Sequence, residues 1–304
     1  MAAISRKTRR LGRTIPRRHL RRRARFAAAL ERLDAPALHS LAADASHSEA
    51  AAGDLGVEVE RIWERLTQAD ADLLRYHVRA AGVGTTLMRA THSWMARRRV
   101  RAATALGDLR LSEGARDLDR LLRDRDMRVR LAAARALGRI ATPDSARLLI
   151  AALELGLLPE QRLVEVLGAP WAAGAVLLAF RAPRTVALRV PLADALGRAR
   201  SAQAVDAFTA AMPAGATELR IRMVRALARI GTPGAVEAVR GAMSDRNWRV
   251  RAQAAWSLAR MGDPAATALL EQGLADGSPW VRANCTAALR RLAQGPTRPA
   301  VPLR

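Results

Sequence analysis

Two stretches of the chain, RDMRVRLAAARALGRIATP at 125–143 and RNWRVRAQAAWSLARMGDP at 246–264, are variants of one pattern. Self-similarity at a fixed period constrains a fold more than any composition does, because it demands stacked copies of one supersecondary unit. In both, a small apolar residue, Val129 or Val250, is followed by an arginine that anchors the repeat. Arg99, Arg130, Arg189, Arg220, Arg251 and Arg282 fall in this column, at gaps of 31, 59, 31, 31 and 31 residues. The long gap holds one degenerate copy around PEQRLVEVLG at 159–168, with Glu160 in the arginine's place. Seven residues further on stands an unbroken leucine column: Leu106, Leu137, Leu167, Leu196, Leu227, Leu258 and Leu289. Seven units at a period near 31 follow.

Each unit reads as two helices. Val250, Ala254, Leu258 and Met261 recur at helical spacing and mark one buried face. The turns repeat as ATP (141–143), GTP (231–233) and GDP (262–264). Glycine suits the left-handed C-terminal cap, Thr or Asp the next helix's N-cap, and Pro its first position. Segments 234–245 and 265–276 then supply the partner helices. One such pair cannot bury its apolar face alone, so the pairs must stack. Composition agrees: half the residues are hydrophobic, only 3% are aromatic, and Ala and Leu, the best helix formers, dominate.

DRDMRVRLAAARALGRIATP, LRIRMVRALARIGTP, DRNWRVRAQAAWSLARMGDP and DGSPWVRANCTAALRRL resemble HEAT repeats, in particular the short bacterial HEAT-like repeats also found in phycobilin lyase subunits. The resemblance covers roughly 93–293. It implies an all-α fold, a right-handed α-solenoid of about seven HEAT-like helical hairpins with a basic N-terminal segment. The domains expected are an Arg-rich segment at 1–25, disordered or surface-binding; an N-terminal helical cap at 26–92; the solenoid at 93–293; and a flexible tail at 294–304. The repeat order and the ending SPWVRANCTAALRRL also resemble bacterial HEAT proteins in which a membrane anchor precedes an Arg-rich stretch. This sequence opens at the Arg-rich stretch.

Asp124, Asp245 and Asp276 each lie six residues before a column arginine, Arg130, Arg251 and Arg282. The resemblance implies that such residues form a charge-assisted ladder between neighbouring repeats. Arg130, Arg189, Arg220, Arg251 and Arg282, with the three aspartates, are therefore expected to be structural. A second arginine column, Arg139, Arg198, Arg229, Arg260 and Arg291, stands nine residues after the first. Arg135, Arg222, Arg225 and Trp256 share its face, away from the leucines. This stripe has two readings: arginines complementing the helix C-terminal dipole, or a docking surface for an anionic partner. Trp248 and Trp280 sit at nearly equivalent places and read either as packing residues or as partner anchors. Cys285 falls at an inward position, as an inert core residue.

The formal charge is +23, and residues 1–25 carry eleven basic side chains and no acid. The pattern from His19 to Leu33 suits a basic amphipathic helix, for which a solvated tail, anionic lipid and nucleic acid are competing destinations. Residues 44–54, DASHSEAAAGD, read as a loop. A single cysteine excludes an internal disulfide and fits a reducing compartment. No apolar run reaches the roughly 20 residues a membrane span needs, and no hydrophobic stretch follows the basic start as in a cleaved signal. The expected location is cytoplasmic, with peripheral attachment at the inner face of the membrane.

Enzyme chemistry finds no support. The five histidines, His19, His39, His47, His77 and His92, all lie before the array. None forms HExxH or the His-Glu dipeptide of the iron-dependent HEAT-repeat hydroxylases, and there is no P-loop or GxGxxG. The expectation is a non-catalytic scaffold or adaptor without metal or cofactor, binding a protein partner along its groove. A nucleic-acid-binding solenoid and a lyase- or chaperone-like helper of a modifying enzyme are the rivals.

Overall fold

The computed structural model describes residues 17–32, 35–182 and 184–294. The first sixteen residues of the expected basic segment, and residues 295–304 of the expected tail, lie outside them. The chain divides into two compact units at Ile140/Ala141, inside the expected array. Among the described residues, no single helix is long and apolar enough to cross a membrane.

The first unit contains α1 (Arg17–Arg32), α2 (Ala35–Ser46), α3 (Glu49–Ile62), α4 (Gln68–Ala80), α5 (Val83–Ala90), α6 (Ala96–Asp108), α7 (Ala115–Leu122) and α8 (Met127–Ile140). Here α1, α3, α6 and α8 pack in succession as one layer, and α2, α5 and α7 lie against it. The second unit contains α9 (Pro143–Glu154), α10 (Glu160–Leu167), α11 (Ala173–Arg181), α12 (Val186–Arg198), α13 (Ala204–Ala211), α14 (Thr217–Ile230), α15 (Pro233–Gly241), α16 (Trp248–Met261), α17 (Thr267–Gln272) and α18 (Pro279–Ala293). Its leucine-column helices α10, α12, α14, α16 and α18 form one layer, α9, α11, α13 and α15 form the other, and α17 packs on α18. Each unit is thus a stack of helical hairpins. Leu106, Leu137, Leu167, Leu196, Leu227 and Leu258 are fully buried between the layers, each contributing about 1.5–3 kcal/mol of hydrophobic stabilisation.

The turn chemistry explains the helix ends. Gly231 (φ 72°) and Gly262 (φ 66°) close α14 and α16 in the left-handed region. Thr142 and Thr232 accept hydrogen bonds from Ser145 N and Ala235 N, with Pro143 and Pro233 opening the next helices. In the ATP variant Ala141 adopts φ 58° without glycine's freedom.

The N-terminal part differs from its expectation in three respects. Residues 17–25 lie in α1, with no boundary at 25. Its apolar side, Phe26 and Leu30, is 1% exposed, while Arg22 and Arg23 pair with Asp54 and Glu58 of α3. Those carboxylates are what allow so basic a segment to pack. Second, 44–54 is mostly helical: α2 runs to Ser46, and Ser48 caps α3 by accepting from Ala51 N at 3.1 Å. Third, α3 is more than a cap. Its Leu55–Gly56 repeats the Leu–Gly pair of 106–107 and 196–197, and it packs on α6 as α6 packs on α8.

Candidate docking surfaces

In the first arginine column Arg99 and Arg220 are buried, Arg130, Arg189 and Arg251 half-buried and Arg282 exposed. Arg99 donates from Nε to Asp124 Oδ2 at 2.7 Å and from Nη2 to Oδ1 at 2.9 Å. Arg220 does the same to Asp245 (2.8 and 2.9 Å) and Arg251 to Asp276 (2.7 and 2.8 Å). Each aspartate lies 25 residues after its arginine and belongs to the next repeat. Its Oδ1 also accepts the backbone N–H of Asp126, Asn247 or Ser278 at the start of its own helix. Arg130, Arg251 and Arg282 in turn donate to the carbonyls of Asp124, Asp245 and Asp276. Burial alone would raise Asp124, but the Arg99 guanidinium holds it below the usual carboxylate range. The Arg251 hydrogen bond does the same for Asp276.

The ladder has two gaps. Twenty-five residues after Arg130 and Arg189 stand Leu155 and Ala214, which offer no carboxylate. The Nε of each is buried without a hydrogen-bond partner, and Arg189 instead lies 4.6 Å over the Phe180 ring. Among the described residues, Arg282 reaches only backbone carbonyls.

The stripe splits into bound and free members. Arg139 is held by Asp108 and by Glu60 (3.2 Å). Arg222 is held by Asp194 and Glu218, both at 2.7 Å, and Arg229 reaches Asp194 at 3.3 Å. These three are internal ion pairs. Arg135, Arg198, Arg260 and Arg291 are exposed and pair with no carboxylate among the described residues, and exposed Arg225 donates only to Gln253 at 2.8 Å. Trp256, 43% exposed, stands between Gln253 and Arg260 on α16. Arg135 and Arg139 belong to the first unit and the rest of the stripe to the second.

The carboxylates Glu60, Asp108 and Asp194, which decide this split, are absent from the site expected from sequence. Asp108 occupies the stripe column itself, nine residues after Arg99. It is 3% exposed, and burial pushes its carboxyl up to about 6 against the opposing pull of Arg139.

The first unit has a surface that sequence reasoning missed. An open cleft of about 860 Å³ runs between α1, α3 and α6. Ala50, Val57, Val100 and Ala105 make it apolar, and Arg97, Arg101 and Arg128 stand around it. The run ARRRVR at 96–101 was its visible signal. Glu49 at the start of α3 sits beside Arg98 and Arg101, and burial raises its carboxyl despite them.

Trp248 and Trp280 are exposed and stack on one another, ring centroids 6.4 Å apart at 19°, with Arg249 5.5 Å from the Trp248 ring. Cys285 is buried, and burial raises its thiol. Among the described residues, no group of three or more His, Cys, Asp and Glu could hold a metal ion.

A family model of HEAT repeats matches residues 87–167 and 207–290, together more than half of the chain. The chain belongs to the HEAT-repeat family. No curated protein matches it. Among solved structures it is similar to human deoxyhypusine hydroxylase in complex with glycerol (19% identity, TM-score 0.38, covering 80% of this chain and 97% of that one). It is also similar to importin beta in an ammonium sulfate condition (16% identity, TM-score 0.40, 90% of this chain and 42% of that one). An engineered protein shares 17% identity at a TM-score of 0.34, over 70% of this chain and 99% of that one. Similarity at this level says nothing of what this HEAT-repeat chain does, since repeat arrays host many unrelated roles.

Proposed function

We propose that this protein is a non-catalytic HEAT-repeat scaffold whose leucine-column helices dock an acidic segment of a partner protein. The carrying observation is that Arg225, Arg260 and Arg291, on α14, α16 and α18, are exposed, as is Trp256 on α16, and the three arginines pair with no carboxylate among the described residues. Guanidinium groups beside an exposed indole match the composition of interface hot spots, and a net charge of +23 steers an acidic partner towards them. Lipid docking through α1 is less well supported, because Phe26 and Leu30 are already buried in the protein.

The test is affinity purification from the native host with wild type and with a Trp256→Ala/Arg260→Glu variant. Partner proteins recovered by wild type are lost from the variant, at an unchanged circular-dichroism melt. Equal recovery rejects this face as the docking surface. Retention of random duplex DNA at physiological salt favours a nucleic-acid partner instead. Arg222 and Arg229 are unsuited to this test, because removing them strands the buried Asp194.

A further inference from the structure

The two units carry the same corner with a different balance of charge. In the first unit it lies at the C-terminal ends of α3, α6 and α8. Arg110 donates to Glu60 Oε2 at 2.8 Å, Arg139 Nε lies 3.2 Å from Glu60 Oε1, and Arg139 also holds Asp108. Two guanidiniums thus meet two carboxylates. In the second unit the equivalent corner lies at the ends of α10, α12 and α14. Arg200 takes the place of Arg110, each eleven residues after a column arginine and each in the left-handed region, at φ 49° and 54°. Arg229 takes the place of Arg139. The two carboxylates, however, have no counterparts at the matching positions, and the one acid that Arg229 reaches is Asp194, at 3.3 Å. Position 198, equivalent to Asp108, is arginine. Five residues after Leu55 stands Glu60, but five after Leu167 stands Ala172, α10 having ended at Leu167.

What remains is a notch of about 400 Å³ whose walls include Gly168, Gly197, Arg198, Arg200, Arg229 and Glu165. The glycines draw the helices together: a Cβ on Gly197 would lie 2.6 Å from Ala226 Cα, and one on Gly168 2.8 Å from Arg198 Cβ. Glu165 is already paired with Arg162 at 3.4 Å. Arg198 and Arg200 are exposed and make no ion pair among the described residues. Complementing helix C-terminal dipoles does not explain this excess, since the same helix ends in the first unit carry Asp108 and Glu60.

We propose that this notch binds a carboxylate side chain of an acidic partner segment, which takes the place that Asp108 and Glu60 hold in the first unit. A planar oxyanion is the group that paired guanidiniums hold best, through parallel charge-assisted hydrogen bonds. The proposal rests on the docking reading above and names where that partner is gripped.

Fluorescence anisotropy of labelled hexaglutamate at low ionic strength tests it. Wild type binds saturably. Arg198→Asp, which installs the first unit's own carboxylate, weakens binding about tenfold or more, without lowering the melting temperature. Arg200→Gln, at an exposed residue whose side chain makes no hydrogen bond or ion pair among the described residues, weakens it in the same direction and serves should Arg198→Asp fail to fold. No saturable binding to wild type overturns the proposal. So does wild-type affinity in both variants. If Trp256→Ala/Arg260→Glu loses the peptide while both notch variants keep it, the notch fails and the docking face stands. Inorganic phosphate displacing the peptide from wild type more effectively than acetate assigns the notch to phosphate and overturns the carboxylate reading.

Discussion

At the scale of the residue, one guanidinium type is used in two ways, and burial decides which. Arg220 is 2% exposed and meets Asp245 through two parallel hydrogen bonds. Removing one partner leaves the other charge buried and unpaired, which costs about 3–5 kcal/mol. Asp245→Ala is therefore expected to lower unfolding free energy by about that much in urea denaturation. Removing an exposed stripe residue such as Arg260 stays within about 0.5 kcal/mol. Asp108 carries a pH signature. Its carboxyl is raised from 3.8 to about 6 by burial, so it stabilises the fold while protonated, in full below about pH 4, and this contribution is lost as pH rises through about 6. The stability of Asp108→Asn relative to wild type should therefore climb by about 2–3 kcal/mol between pH 4 and pH 7. A flat difference across that range rejects the assignment.

At the scale of the element, close helix approach depends on one small residue per turn of contact. A Cβ on Gly107 would lie 2.5 Å from Ala136 Cα, so α6 and α8 touch through backbone. Gly107→Ala improves helix propensity by about 1 kcal/mol, yet it must push apart two backbones that have no side chain to yield. A net loss of about 1–3 kcal/mol is expected. A methyl group added at Gly53, inside α3, would meet nothing within 4 Å. Gly53→Ala is expected to stabilise by about 0.5–1 kcal/mol. Thermal melts of the two variants should move in opposite directions. The Leu–Gly signature of α3 was legible at 55–56, but the polar run beside it pointed to a loop. The deciding fact, that Glu49, Asp54 and Glu58 face arginines of other helices, depends on packing and not on local propensity.

At the scale of the whole molecule, stability in repeat arrays is set by neighbouring repeats. The chain resolves into two units, 1–140 and 141–304. Gly107→Ala is accordingly expected to raise amide hydrogen exchange in α6, α7 and α8 and leave α14 to α18 protected. Loss of protection throughout both units rejects that independence. The sequence by itself determined the period, the two-helix unit, the capped turns and the buried leucine column. These follow from local rules, namely helical spacing, backbone preference at glycine and proline, and the burial of leucine. Only the tertiary structure decided which arginines are neutralised. Arg139 and Arg198 stand in one sequence column, yet Arg139 lies between Asp108 and Glu60 while Arg198 borders a notch and pairs with no carboxylate among the described residues. An ion pair forms within about 4 Å, and the pairs that hold Arg99 and Arg139 span 25 and up to 79 residues along the chain. That distance is set by how closely neighbouring helices pack, which no local pattern encodes.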